Sequence, residues 1–197
     1  MTFRGFVAVD IPPTPALTEF VLQMRKASAS LNVVSTDHLH LTLKFLGDTE
    51  EGLVPEIATA IRESAAGTRP FEVRVRGTGA FPSPARMNVV WVGVDGAERL
   101  ARIAAALDAS LETLGFARDN RPWKPHVTVA RVKGRRDLDP VRSIVSGYAE
   151  TVFGTHRVDS IHLKRSVLTP TGAQYSIVES VRLGPFRTGG DGVHTSK

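Results

Sequence analysis

Two stretches of this chain follow one plan, and each carries a histidine with a threonine two residues later. His40-Leu-Thr42-Leu sits in an alternating apolar and polar run, and so does His126-Val-Thr128-Val. A short apolar run precedes each of them. Val7-Ala-Val-Asp10 echoes Val92-Gly-Val-Asp95, and the step from Asp10 to Asp95 falls just one short of the step from His40 to His126. Two landmarks that keep nearly one offset across a strand, a helix and a strand point to an internal duplication. Duplicated units tend to pack about a pseudo-two-fold axis, which brings equivalent strands together across a shared cleft.

Hydrophobic periodicity supplies the rest of the plan. Phe6–Asp10 reads as a buried strand stopped by Ile-Pro-Pro, and Pro15 to about Ala29 as an amphipathic helix carrying Leu17, Phe20, Val21 and Met24. A strand over 38–46, a helix from Glu51 to Ser64 and a strand from Phe71 to Arg76 complete the first half. The second half opens with a strand at Val89–Asp95 and a helix from Ala97 to Leu114. A strand around His126, a helix from Asp137 to Ser146 and a strand from Arg157 to Leu163 follow. The expected fold is α+β: bilobal, with duplicated strand-helix-strand units and mainly antiparallel sheets around a central cleft. Residues 1–186 are expected to form one catalytic domain of two pseudo-symmetric lobes, and the Gly-rich polar stretch 187–197 a disordered tail.

Strict alternation assigns the faces. His38, His40, Thr42 and Lys44 share one side of their strand, and Leu39, Leu41, Leu43 and Phe45 the other. In the second strand Lys124, His126, Thr128 and Ala130 oppose Pro125, Val127 and Val129. Imidazoles, hydroxyls and an ammonium in line suit a phosphate better than a core. Arg131 would fall on the core side, and it reaches the polar face only at a strand end or a bulge.

Charge and composition narrow the chemistry. Twenty-five Lys and Arg against 20 Asp and Glu leave a formal charge of +5, which favours polyanionic partners. The absence of cysteine removes disulfides, thiolate metal sites and cysteine nucleophiles. No run approaches the ~18 apolar residues of a membrane span, and the apolar run before Asp10 is too short for a signal peptide, so the expectation is a cytoplasmic protein.

The segments RGFVAVDIP (Arg4 to Pro12), HLHLTLKFLG (His38 to Gly47), PWKPHVTVAR (Pro122 to Arg131) and SVLTPTGAQY (Ser166 to Tyr175) resemble the 2H phosphoesterase superfamily. Within it, the similarity is to the RNA 2',3'-cyclic phosphodiesterases, also called 2'-5' RNA ligases. The resemblance implies that His126 is the base acting on water and that His40 donates its proton to the leaving 3' oxygen, giving a 2'-phosphate. Histidine suits both tasks because its ordinary pKa lies near 6.5. Thr42 and Thr128 can donate to the nonbridging phosphate oxygens in place of a metal, and Arg131 can add a charged fork. No cofactor and no metal are expected. The expected partner is RNA or a nucleotide ending in a 2',3'-cyclic phosphate, the expected state a monomer, and ligation by reversal is part of the expectation.

Phe6, Trp123 and Tyr175 are candidates either for stacking on a base or for packing. His156, His162 and His194 belong to no repeated motif. Two other readings stand beside the first. One is a zinc hydrolase in which His38, His40 and His126 leave a fourth position open. The other is a non-catalytic RNA-binding module.

Overall fold

The computed structural model describes residues 1–169 and 172–184; the tail expected at 187–197 lies outside them. Its strands are β1 (Thr2–Asp10), β2 (Leu31–Val33), β3 (His40–Glu50), β4 (Phe71–Phe81), β5 (Val89–Asp95), β6 (His126–Val132), β7 (Val152–Val158), β8 (Ser160–Thr169) and β9 (Gly172–Arg182). Its helices are α1 (Pro15–Ala27), α2 (Val54–Ser64), α3 (Glu98–Glu112) and α4 (Asp139–Gly147). Helix α1 begins where the sequence gives it both start signals. Thr14 caps it by accepting from the Leu17 amide, and Pro15 occupies the first turn, where no amide is needed. Its buried stripe is the expected Leu17, Phe20, Val21 and Met24.

The strands lie in the order β7-β4-β5-β6-β3-β1-β8-β9, with β2 added to β6, and all pairings are antiparallel. Read from either end, the order has the same meaning. β3 matches β6, β1 matches β5, and β8 matches β4. β4 and β8 have therefore crossed over between the halves: β4 lies beside β5, and β8 beside β1. Helices cross as well. α1 and α4 cover the β7-β4 side, while α2 and α3 pack on β3, β8 and β9. Each lobe thus contains pieces of both halves, and neither half can bury its apolar faces alone.

At the centre of the sheet, β3 and β6 touch through a single register pair, Leu41 with Val127. The two half-sheets splay from that point. Helices cover the side to which Leu41 and Val127 point, and both are fully buried. The opposite side stays open as a cleft.

Register corrects the sequence reading in several places. Asp10 pairs with His40, and Gly93, not Asp95, pairs with His126. The true counterpart of Asp10 in β5 is therefore Gly93, two positions before the one the apolar echo suggests. A slip of two leaves every side chain on its own face, so the apolar pattern could not reveal it. Where one strand was expected over Arg157–Leu163, Asp159 separates β7 from β8. β2 and β9 were not anticipated: β2 has three residues, and β9 pairs only with β8, so its apolar alternation is weak.

The faces of β3 and β6 also change partway along. Opposite Val7 and Ala8 the register skips Leu43, and opposite Val90 and Trp91 it skips Val129. Each skip is a β-bulge, and the two occupy equivalent places in the repeat. Beyond the bulge the alternation inverts. Lys44, expected on the polar face, is only 2% exposed, whereas Phe45, expected in the core, is 62% exposed. Ala130 is likewise buried, and Arg131 emerges on the open side. Lys44 is held below the sheet by Asp108 (2.5 Å), Asp119 (3.1 Å) and the Ala117 carbonyl (2.7 Å).

Candidate functional site

A cleft of about 710 Å³ opens over the β3–β6 seam, within the range of small-molecule sites. His40, Thr42, His126, Thr128 and Arg131 all line it, and none of its described lining residues comes from a helix. His40 and His126 are the first residues of their strands. One step either side of the Leu41–Val127 pair, the antiparallel register sets His40 level with Thr128 and Thr42 level with His126. Each histidine thus stands beside the threonine of the other half. Neither threonine hydroxyl has a protein partner among the described residues, so both are free to donate into the cleft.

The repeat extends to the hydrogen bonds of the rings. His40 Nδ1 lies 2.7 Å from the His38 carbonyl, and His126 Nδ1 lies 2.8 Å from the Lys124 carbonyl, two residues back in both cases. A carbonyl only accepts, so each Nδ1 donates. The nitrogen left for proton transfer is Nε2 in both rings.

Aromatic side chains pack around the imidazoles. Phe6 and Tyr175 lie 4.9 and 5.0 Å from His40, and Phe81 meets His126 edge-on at 5.0 Å. Burial drives the His40 pKa down to about 4; Lys164 and Arg131 push the same way, while the His38 carbonyl and Asp10 oppose. His126 is lowered too, by burial first and then by Arg131, against the Lys124 carbonyl. Burial thus favours the neutral form of both rings, which leaves an Nε2 lone pair available. A phosphate between them restores the proton affinity that burial and the arginine remove.

The walls behind the two histidines occupy equivalent places with opposite chemistry. Behind His40, Lys164 pairs with Asp10 across the small Ala8, and His162 Nε2 lies 4.0 Å from the same carboxylate. In the other lobe the equivalents of Ala8, His162 and Lys164 are Trp91, Gly79 and Phe81. The Trp91 indole lies across Gly79 so closely that a Cβ there would come within 2.2 Å of the ring. One wall is charged and the other aromatic.

His38 departs from the expected row. It ends a short 3-10 turn, Thr36–His38, meets Tyr175 edge-on at 5.6 Å, and does not line the main cleft. The trio His38, His40 and His126 therefore forms no ligand set. Among the described residues no three of His, Cys, Asp or Glu are grouped to hold a metal ion. Trp123 is no base platform: it packs on the core and donates from Nε1 to the Thr42 carbonyl at 3.0 Å, tying β3 to the segment that leads into His126. The sequence reading gave Phe45 to the core and Asp10 only to the apolar echo, and it named neither Phe81 nor Lys164. For Phe45 a signal existed, since the step from Phe45 to Arg131 equals the step from His40 to His126.

The chain is similar to known proteins along most of its length. A family model described as the 2'-5' RNA ligase superfamily matches residues 12–168. An RNA 2',3'-cyclic phosphodiesterase of Methanothermobacter thermautotrophicus is 37% identical, covering 93% of this chain and all of the relative. One from Archaeoglobus fulgidus is 36% identical over 87% of this chain and 96% of its own length. A crystal structure from Thermus thermophilus superimposes with a TM-score of 0.76 at 30% identity, covering 91% of this chain and 97% of that one.

Proposed function

The chain belongs to the 2'-5' RNA ligase superfamily, and from that membership we propose that it opens 2',3'-cyclic phosphates on RNA or nucleotides by paired-histidine acid-base catalysis. The observation that carries this reading is the matched pair of imidazoles. One comes from each half of the repeat, each has Nδ1 committed to a carbonyl, and they flank the single β3–β6 register pair above a shared cleft.

In the forward reaction His126 Nε2 takes a proton from water as the water oxygen bonds to phosphorus. The bond from phosphorus to the 3' oxygen breaks, and His40 Nε2 gives that oxygen its proton. The product is a 2'-phosphomonoester. His40 must enter this step protonated although burial holds its pKa at about 4. The bound phosphate supplies the negative charge that raises it, so the acid forms only where its substrate is. Thr42 and Thr128 donate to the two nonbridging oxygens, and Arg131, brought to the open face by the β6 bulge, neutralises the developing charge.

A 5'-hydroxyl in place of water gives 2'-5' ligation instead of hydrolysis, expelling the same 3' oxygen with the same groups and no nucleoside triphosphate. Residues 1–186 act as one catalytic unit. Both histidines and both threonines come from one chain, which is the ground for a monomer, and an RNA-end substrate is the ground for a cytoplasmic home. Among the described residues no helix is long and apolar enough to cross a membrane.

Phosphorus NMR of 2',3'-cyclic AMP incubated with the protein and excess chelator tests the reading. The cyclic resonance should be replaced by that of the 2'-monophosphate. A 3'-monophosphate product would reverse the assigned leaving oxygen, and turnover that stops on chelation would remove the metal-free mechanism.

A further inference from the structure

Beside the main cleft lies a second pocket of about 290 Å³, and the two share Asn32, Val34, Arg131, Ala173 and Tyr175 along their common border. Arg25, from the last turn of α1, lines its far side. Ser35, His38 and Gln174 add polar groups. Neither pocket has a carboxylate among its described lining residues. None of the ion pairs among the described residues engages Arg4, Arg25 or Arg131, whereas Arg76, Arg118, Arg142 and Arg165 all have acidic partners. The three arginines that line the two connected pockets thus have no acidic partner among the described residues, as is true of Arg62, Arg99 and Arg102 elsewhere; what sets them apart is that they share two carboxylate-free pockets.

A cyclic nucleotide brings one phosphate to this chain, and the histidines, threonines and Arg131 suffice for it. Arg25 stands beyond their reach in the adjoining pocket, with amide and hydroxyl groups suited to a sugar and its phosphate. We propose that the second pocket, through Arg25, binds the phosphodiester anion one nucleotide upstream of the cyclic end, so that the chain selects RNA termini over free cyclic nucleotides. This rests on the catalytic reading above, for it takes the cyclic phosphate to occupy the main cleft. Tyr175 is one of the five residues that line both pockets, at the boundary this assigns between the terminal nucleotide and its neighbour.

The test compares a 2',3'-cyclic mononucleotide with a dinucleotide carrying the same cyclic end, in wild type and in Arg25→Gln. Arg25 is exposed, so the substitution leaves the core intact. Wild type should favour the dinucleotide in kcat/KM. Arg25→Gln should lose about tenfold on the dinucleotide, the scale of one charge-assisted hydrogen bond, and keep the mononucleotide rate. Equal loss on both substrates, or loss on neither, overturns the proposal.

A binding arm judges the pocket without turnover. Fluorescence anisotropy is measured for a short labelled RNA ending in a phosphate and for the same RNA with an uncharged methylphosphonate at the penultimate linkage. Wild type should discriminate between them and Arg25→Gln should not, with a salt slope shallower by about 0.7 in the variant. Discrimination retained by the variant overturns the subsite. Absence of hydrolysis in wild type would remove the catalytic reading while this arm still decides the pocket.

Discussion

Acidification should destabilise the fold in a way traceable to His40. Its pKa is about 4 in the folded chain and 6.5 when unfolded, so between those values the unfolded state binds more protons. Stability contributed by the neutral ring is complete above pH 6.5 and is lost as pH falls toward 4. At pH 5 the unfolded ring is nearly all charged and the folded ring nearly all neutral, a difference worth about 2 kcal/mol. His126 is shifted the same way and adds its own loss. A double difference isolates His40: urea unfolding of wild type and His40→Asn, each at pH 7.5 and pH 5. Asparagine does not titrate, so the stability gap between the two proteins should move by about 2 kcal/mol in favour of the variant at the lower pH. A gap constant to within about 0.5 kcal/mol, the scatter expected of independent effects, would mean that the ring is not held neutral by burial. Saturating 2'-AMP should shrink the effect, because the bound phosphate raises the His40 pKa.

Thr42→Val and Thr128→Val each remove one donor aimed at the phosphate, and each should lower kcat by about 100-fold with little change in melting temperature. Unaltered turnover in either would take that hydroxyl out of the cradle. Lys44→Met takes the buried lysine from Asp108, which keeps Arg118 and the Asp119 amide, and should cost about 2 kcal/mol in chemical denaturation, leaving kcat per folded molecule unchanged; a selective loss of activity would return Lys44 to the phosphate. Arg131→Gln should weaken catalysis by at least about tenfold and, by removing a cation that depresses both rings, raise the pKa values of His40 and His126 in NMR titrations. Unmoved titrations would place the guanidinium away from the histidines.

Much of the site was legible because duplication wrote it twice. A lone His-x-Thr is common on strands, but two copies at a nearly fixed offset specify both histidine-bearing strands and the cleft between them. Helix α1 was legible from its cap and apolar stripe. What alternation could not show was where alternation breaks. The bulges at Leu43 and Val129 send Lys44 inward and bring Phe45 and Arg131 into the cleft, and a bulge is a register event between strands distant in sequence. The exchange of β4 and β8 between lobes was hidden for the same reason, since either partner would satisfy the apolar pattern. The contact of Asp10 with Lys164 escaped because 154 residues separate them, and only the pairing of β1 with β8 brings them together behind His40.

The joint action of the two rings can be measured by steady-state kinetics of 2',3'-cyclic AMP hydrolysis in wild type, His40→Ala, His126→Ala and the double variant. Each single substitution should lower kcat by roughly 100-fold or more, and the double variant should be little slower than the worse single one, because both protons move in one displacement. More than half the wild-type rate in either single variant, or losses that multiply in the double, would contradict two imidazoles acting on the same phosphorus.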